Sequence, residues 1–252
     1  MKKSTIILST IIFFLVWEIV SRSGLINPAL FPPPGVIVKA AITMFKTGEL
    51  VWDIFASIQR VVLGFFLASI FGISFGLLTG RIKFIEKTIG PIIQLLRPIP
   101  SIALVPLAIV WFGLGEISKY FLVFWGAFFP IWVNTHLGAK AVDRKILWAA
   151  KSLGAKGTKI LYEIVLPASI PYIIAGMRIG IGIAFICLVA AEMAGAFRGV
   201  GYRIYASHLI FRVDKMMVGI LFLGILGSSA DRLFAFIVNR VFPWYQKTLK
   251  TQ

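Results

Sequence analysis

Arg97 stands among Pro91, Pro98, Pro100 and Pro106 in an apolar run from about Ile89 to Phe112. A cation placed where prolines bend a helix can attract an anion, and it can equally pair with a carbonyl or a lipid headgroup. Pro100 and Pro106 shape the run around it, and Trp111, Trp125 and Asn134 are polar-edged side chains in the same or the following apolar segment. Glu192 falls near the end of a later apolar run. A carboxylate deep in hydrocarbon costs about 2.5–3.5 kcal/mol, so its place is beside a cavity or an interface. Arg97, Pro100, Pro106, Trp111, Trp125, Asn134 and Glu192 are therefore the candidates for a solute pathway. Catalysis is not indicated. No GxxxxGK[ST] phosphate loop occurs, nor a nucleophile–base pair, nor a cluster of metal ligands. The only cysteine, Cys187, lies in an apolar run, and His136 and His208 are isolated. No catalytic residue, metal or bound cofactor is expected.

The elements that must hold these residues are membrane helices. The chain has 252 residues, 59% apolar and only 14% charged, whereas soluble domains are about one quarter charged. Apolar runs recur near the ~20 residues that cross hydrocarbon, and strand-type alternation is absent. The expected fold is all-α, with about six spans in one transmembrane domain covering 1–252. The net charge of +16 fits lysine and arginine gathered in cytoplasmic loops rather than a nucleic-acid surface.

Lys2 and Lys3 precede an apolar run to about Val20. It is read as a retained first helix, because EIVSRSGLINP offers no small-x-small cleavage site. The breaker NPALFPPPG follows, then an amphipathic segment within 36–60, so 21–60 is expected to be an external loop with an interfacial helix. The second span, Val61 to Gly80, carries Gly64, Ala68, Gly72, Gly76 and Gly80, a row of small residues for close helix approach. The third is the proline-rich run, which either lines a pathway or forms a short re-entrant element. The fourth covers about Tyr120 to Leu137, the fifth Ile170 to Ala196 and the sixth Met216 to Val238. Phe197 to Lys215 reads as a polar connection. Asp231 and Arg232 either pair or face water. With both termini inside, fifteen lysines and arginines fall on the cytoplasmic side and nine outside, which favours that orientation.

Between the fourth and fifth spans lies the polar insert 138–167, containing LWAAKSLGAKGTKILYEIVLP. Gly154 can break a helix–turn–helix, Leu153 offers an apolar knob, and Pro167 ends the second arm. Ala149-Ala150, Gly154, Ile164 and Leu166-Pro167 follow the pattern AA-x3-G-x9-I-x-LP. This resembles the EAA loop of permease subunits of ATP-binding-cassette (ABC) importers. Trp148 stands where the family has glutamate. Leu96 to Glu116 (LRPIPSIALVPLAIVWFGLGE) resembles the third-span signature of the nitrate/sulfonate/taurine branch. Glu192-Met193 followed by Gly199, Gly201 and Tyr202 resembles its EM…GxGY segment.

The resemblance spans about Arg60 to Pro243. It implies a type I ABC importer (MetI-like) architecture in a bacterial or archaeal cell membrane. The implied cytoplasmic coupling loop includes Ala149, Ala150, Ser152, Leu153, Gly154, Ala155, Lys156, Gly157, Ile164, Leu166 and Pro167. The implied partners are a second copy of the chain, two ABC ATPases that hold ATP and Mg, an extracytoplasmic solute-binding protein and membrane lipid, with no nucleic acid. The solute would be a small anion such as nitrate, a sulfonate or taurine. An ion-gradient-driven secondary transporter is the rival, but no internal repeat is visible and charges cluster at span ends. A non-transporting membrane scaffold would leave the ordered loop pattern a coincidence.

Overall fold

The computed structural model describes residues 3–24 and 26–244. Among them no strand occurs. In chain order the helices are α1 (Lys3–Arg22), α2 (Pro34–Lys46), α3 (Glu49–Arg81), α4 (Lys83–Leu96), α5 (Val105–Phe112), α6 (Glu116–Ala141), α7 (Arg144–Ser152), α8 (Gly157–Ile160), α9 (Leu166–Gly195), α10 (Val200–Leu209) and α11 (Val213–Val241). A 3-10 turn, Ser101–Leu104, leads into α5, and a π-helical turn, Leu161–Val165, joins α8 to α9.

Among the described residues, four helical runs are long and apolar enough to cross a membrane: α3, α6, the run Gly157–Gly195, and α11. The proline-rich segment adds a fifth only as a pair, Lys83–Leu96 and Ser101–Phe112, bent by 85°. Proline explains the corner, since Pro98 and Pro100 can neither donate to a helical ladder nor permit helical geometry just before them. α1, the remaining segment of the expected six, has 20 residues, about 30 Å at 1.5 Å per residue.

Several boundaries differ from the sequence reading. The second span does not begin at Val61, because the helix starts at Glu49 and includes the polar residues Asp53, Ser57 and Arg60. Only Pro34–Lys46 of the amphipathic segment is a separate helix. The stretch read as a polar connection after the fifth span contains α10. Pro167 does not end the second arm, since helix continues through it from Gly157 to Gly195. The π-helical turn accommodates it: Leu166 N–H bonds to Leu161 O, five residues back, widening the ladder beside a proline that supplies no N–H.

The chain forms two compact units, 1–58 with 192–225, and 59–191 with 226–252. In the first, Ile37, Ala40 and Met44 of α2 pack with Leu50 and Val218. The positions fall at helical spacing, so α2 turns one stripe inward while Val38 and Phe45 stay exposed. The Glu18 carboxylate accepts from Gly35 N at 2.9 Å and from Arg22 Nε at 2.6 Å, holding α1 to the start of α2.

In the second unit α6 is central. The small-residue row of α3 lies on it. A Cβ added at Gly64, Gly76 or Gly80 would come within 2.6 Å of Val123, Thr135 or Ala139, and one at Gly72 would be 2.9 Å from Ile131. The α6 partners step by four residues, as the glycines do, so ridges and grooves match along both helices. Gly176 and Gly180 of α9 approach α6 in the same way, near Pro130 O and Ile131. Thr79 ties the pair further, accepting from Trp132 Nε1 at 3.2 Å and lying 3.0 Å from His136 Nδ1. Arg178 forms a bidentate pair with Asp231, its Nε and Nη2 at 2.7 and 2.9 Å. Asp231 thus pairs with an arginine of α9 rather than with Arg232.

Candidate functional site

The polar insert folds as a helix, a tight stop and a second helix. The Asp143 side chain accepts from Lys145 N at 2.9 Å and caps α7. The stop after Ser152 is a Schellman motif. Ala155 N bonds to Ala150 O and Gly154 N to Lys151 O, both at 3.0 Å, with Gly154 at φ +87°. The motif accounts for the spacing in the sequence: Ala150 supplies the last-turn carbonyl and Gly154 the left-handed residue four positions on. The six-to-one bond brings Ala155 back over Ala150, which is buried.

One half of the loop is seated and the other is presented. Leu147 and Val165 are buried with Leu77, Ala139 and Val142, and Ile160, Ile164 and Leu166 pack against that cluster. The loop is thereby fastened to the ends of α3 and α6. Ala149, Ser152, Leu153, Lys156, Gly157 and Pro167 are exposed. Leu153 is 89% exposed and Trp148 64%, with Ile146 and Tyr162 also turned outward. Lys145, Lys151, Lys156 and Lys159 are exposed on the same segment. An exposed apolar tip on a segment that also carries exposed lysines suits contact with a groove on another protein. Trp148, which replaces the glutamate of the resembled pattern, adds apolar area to the presented side.

A second feature lies at the proline corner, a cleft of about 400 Å³ whose lining includes Arg97, Pro100, Trp125 and Asn134. The structure brings these four sequence candidates together. Arg97 follows α4 directly, where the chain leaves the helix for the corner, and its side chain is exposed. Among the described residues it has no ion-pair partner, and no carboxylate lines the cleft. Asn134 Nδ2 donates to Pro130 O at 2.8 Å, one turn back. Trp125 Nε1 reaches Ile99 O at 3.5 Å, a weak bond linking α6 to the corner. Ser101 also lines the cleft, its hydroxyl 2.8 Å from Cys187 Sγ. The sequence reading missed Ser101, although its place directly after Pro100 was a signal.

Three candidates are elsewhere. Pro106 is in the first turn of α5. Trp111 is exposed and forms edge contacts with Phe112 and Phe121 at 6.2 and 6.3 Å. Glu192 is fully buried in the first unit, within a polar clasp. Its carboxylate accepts from Ser57 Oγ at 2.8 Å and from Gly201 N at 2.8 Å, and Ser57 Oγ accepts from Val200 N at 2.9 Å. Asp53 accepts from Gly199 N at 2.9 Å and from Arg203 Nε at 2.7 Å. Glu49 adds contacts of 3.3 Å to Arg203 and Lys215. Gly199 lies against the Glu192 carboxylate at φ +132°, where a Cβ would be 2.4 Å from it. The EM…GxGY spacing is thus a hydrogen-bonded turn that satisfies a buried charge. The two acids that complete it, Asp53 and Glu49, lie in the first turns of α3, within the stretch that the sequence assigns to the interfacial segment. Among the described residues no group of three or more His, Cys, Asp or Glu could hold a metal.

Residues 64–243 match the family model described as the inner membrane component of binding-protein-dependent transport systems. A protein of Methanocaldococcus jannaschii named as a candidate ABC transporter permease is 40% identical over 91% of this chain and 88% of its own length. The taurine transport system permease protein TauC of Escherichia coli is 33% identical over 93% of this chain and 87% of its own. The fold is similar to a chain from inward-facing conformations of the MetNI methionine ABC transporter. The TM-score is 0.65 at 19% identity, covering 79% of this chain and 97% of that one. In this family the permease lies in the inner membrane and works with a separate ATPase subunit and a solute-binding protein. The match takes in the polar insert, the proline corner and the turn from Glu192 to Tyr202, and on it the chain belongs to the family of binding-protein-dependent transport system inner membrane components, the permease subunits of ABC importers.

Proposed function

We propose that two copies of this chain form the path by which a small anion of the nitrate or sulfonate type enters the cell. The observation that carries the choice of an anion is Arg97, a cation without an acid partner among the described residues, in a cleft lined by no carboxylate. A low-dielectric wall strengthens the attraction such a charge exerts on an anion. Trp125 and Asn134 supply an aromatic edge and an amide beside it. One relative is named for taurine, a zwitterion whose anionic end is a sulfonate, the group Arg97 would meet.

Drive enters through 144–165. Leu153 and Trp148 fill a groove on the ATPase, and Lys145, Lys156 and Lys159 meet its rim. Each chain has one such loop, so two ATPases serve two copies. The loop and both termini are cytoplasmic, as the distribution of lysine and arginine favours, and 21–60 faces outward. ATP and Mg are held by the ATPases and none by this chain. ATP closure of the motor pair moves the seated loop together with α3 and α6. The pathway then opens outward, receives solute from the binding protein, and returns after hydrolysis.

The test is uptake of nitrate and taurine by the complete transporter in proteoliposomes. Arg97→Gln is expected to lower anion uptake at least about tenfold, equivalent to about 1.4 kcal/mol, while ATP hydrolysis continues. Anion uptake unchanged in that variant would overturn the assignment of the cleft. Uptake driven by an ion gradient without ATP would overturn the assignment of the loop.

A further inference from the structure

We infer that a cleft between the end of α3 and the start of α8 is a seat for one anionic phospholipid. The cleft measures about 410 Å³, and its walls include Leu78, Ile82 and Leu161, with Arg81, Lys151 and Thr158 as the polar groups. Arg81 is fixed by a hydrogen bond from Nη1 to Ala139 O at 3.3 Å. A guanidinium has five donors, so others remain for a ligand. Among the described residues neither Arg81 nor Lys151 has a carboxylate partner. The neighbouring acids are engaged elsewhere, Glu86 with Lys140 and Glu163 at 4.0 Å from Lys159. Two cations and a hydroxyl therefore border an apolar cleft from which no acid repels a phosphate.

Position identifies the ligand. Arg81 ends a helix that crosses the membrane, which is the level of the headgroups. Phe84, 75% exposed, and the exposed Ile82 flank it, as residues at the hydrocarbon boundary do. Free phosphate would satisfy the cations and leave the apolar walls bare. An anionic phospholipid brings phosphate and acyl chain in one molecule, and basic pockets between membrane helices take such headgroups. The lipid bridges α3, through Arg81, to the coupling loop, through Lys151 and Thr158. Occupancy thus stiffens the joint through which drive passes. The inference rests on α3 crossing the membrane and on neither the solute nor the ATPase groove, so it can fail while the proposed function stands.

The test is native mass spectrometry of the complete transporter from nanodiscs of phosphatidylcholine mixed with phosphatidylglycerol. One phosphatidylglycerol retained per permease is expected. Lys151→Gln should weaken retention about fivefold and Arg81→Gln with Lys151→Gln about twenty-fivefold, each cation near an anionic headgroup contributing about equally. Lys39→Gln with Lys46→Gln should leave retention unchanged. Lys151 is exposed on the loop, so its single variant tests the seat without depending on the fold. The inference is overturned by equal retention in the double variant, or by equal loss in the Lys39/Lys46 control. It is also overturned by displacement with inorganic phosphate alone, or by binding that disappears whenever the ATPase is attached.

Discussion

Gly199 shows how much a single hydrogen atom can decide. Its φ of +132° and its place against the Glu192 carboxylate both exclude a Cβ. Gly199→Ala combines backbone strain with overpacking and is expected to destabilise by about 3 kcal/mol. That corresponds to a fall of roughly 6–12 °C in Tm for a chain of this size, measurable by thermal unfolding in detergent. Gly182→Ala, where nothing lies within 4 Å, should leave Tm in place. In the sequence, Glu192 is a lone acid in an apolar run and invites a functional role. Its actual partners are Ser57 and the N–H of Gly201, one of them 135 residues away. Burial and pairing at that separation leave no local pattern. Arg97 was more legible, because the prolines around it bend the backbone whatever else the chain does.

At the scale of elements, α7 and α8 depend on the stop between them. Its spacing was readable because a Schellman motif is written in consecutive residues: an alanine, a glycine four positions later, and an apolar residue on each side of the break. Gly154→Val places a β-branched side chain at φ +87°, a conformation that costs at least about 1–2 kcal/mol for L-residues. The loop should then lose its turn while the spans remain inserted. ATP-dependent uptake should fall at least about tenfold with an unchanged amount of protein in the membrane. Normal uptake would show that the stop is not needed for coupling. α10 and the early start of α3 were not legible for a shared reason. Polar residues such as Asp53, Arg203 and His208 broke the apolar pattern, and they are helical because the clasp or solvent satisfies them. The length of α9 was obscured by Pro167, whose expected helix stop is absorbed by the π-helical turn.

At the scale of the molecule, the sequence announced a polytopic helical membrane protein through composition alone, and the order of its signatures identified the family. It did not announce which helices are locked together, since close approach depends on what faces each glycine. α3 and α6 are meshed at Gly64, Gly72, Gly76 and Gly80 against Val123, Ile131, Thr135 and Ala139. Spin labels at positions 62 and 137, both exposed on these helices, should report one unchanged distance with and without ATP in the assembled transporter. A shift of several ångströms between the two conditions would mean that the helices slide.

Teeth set four residues apart permit no half-steps. The next register along this rack is about 6 Å away at 1.5 Å per residue, and a shift short of that takes Thr135 and Ile131 off the glycines they face. A cycle of opening and closing must therefore carry α3, α6 and the loop fastened to their ends as one bar, and find its give at a softer hinge, such as the 85° elbow around Pro98 and Pro100.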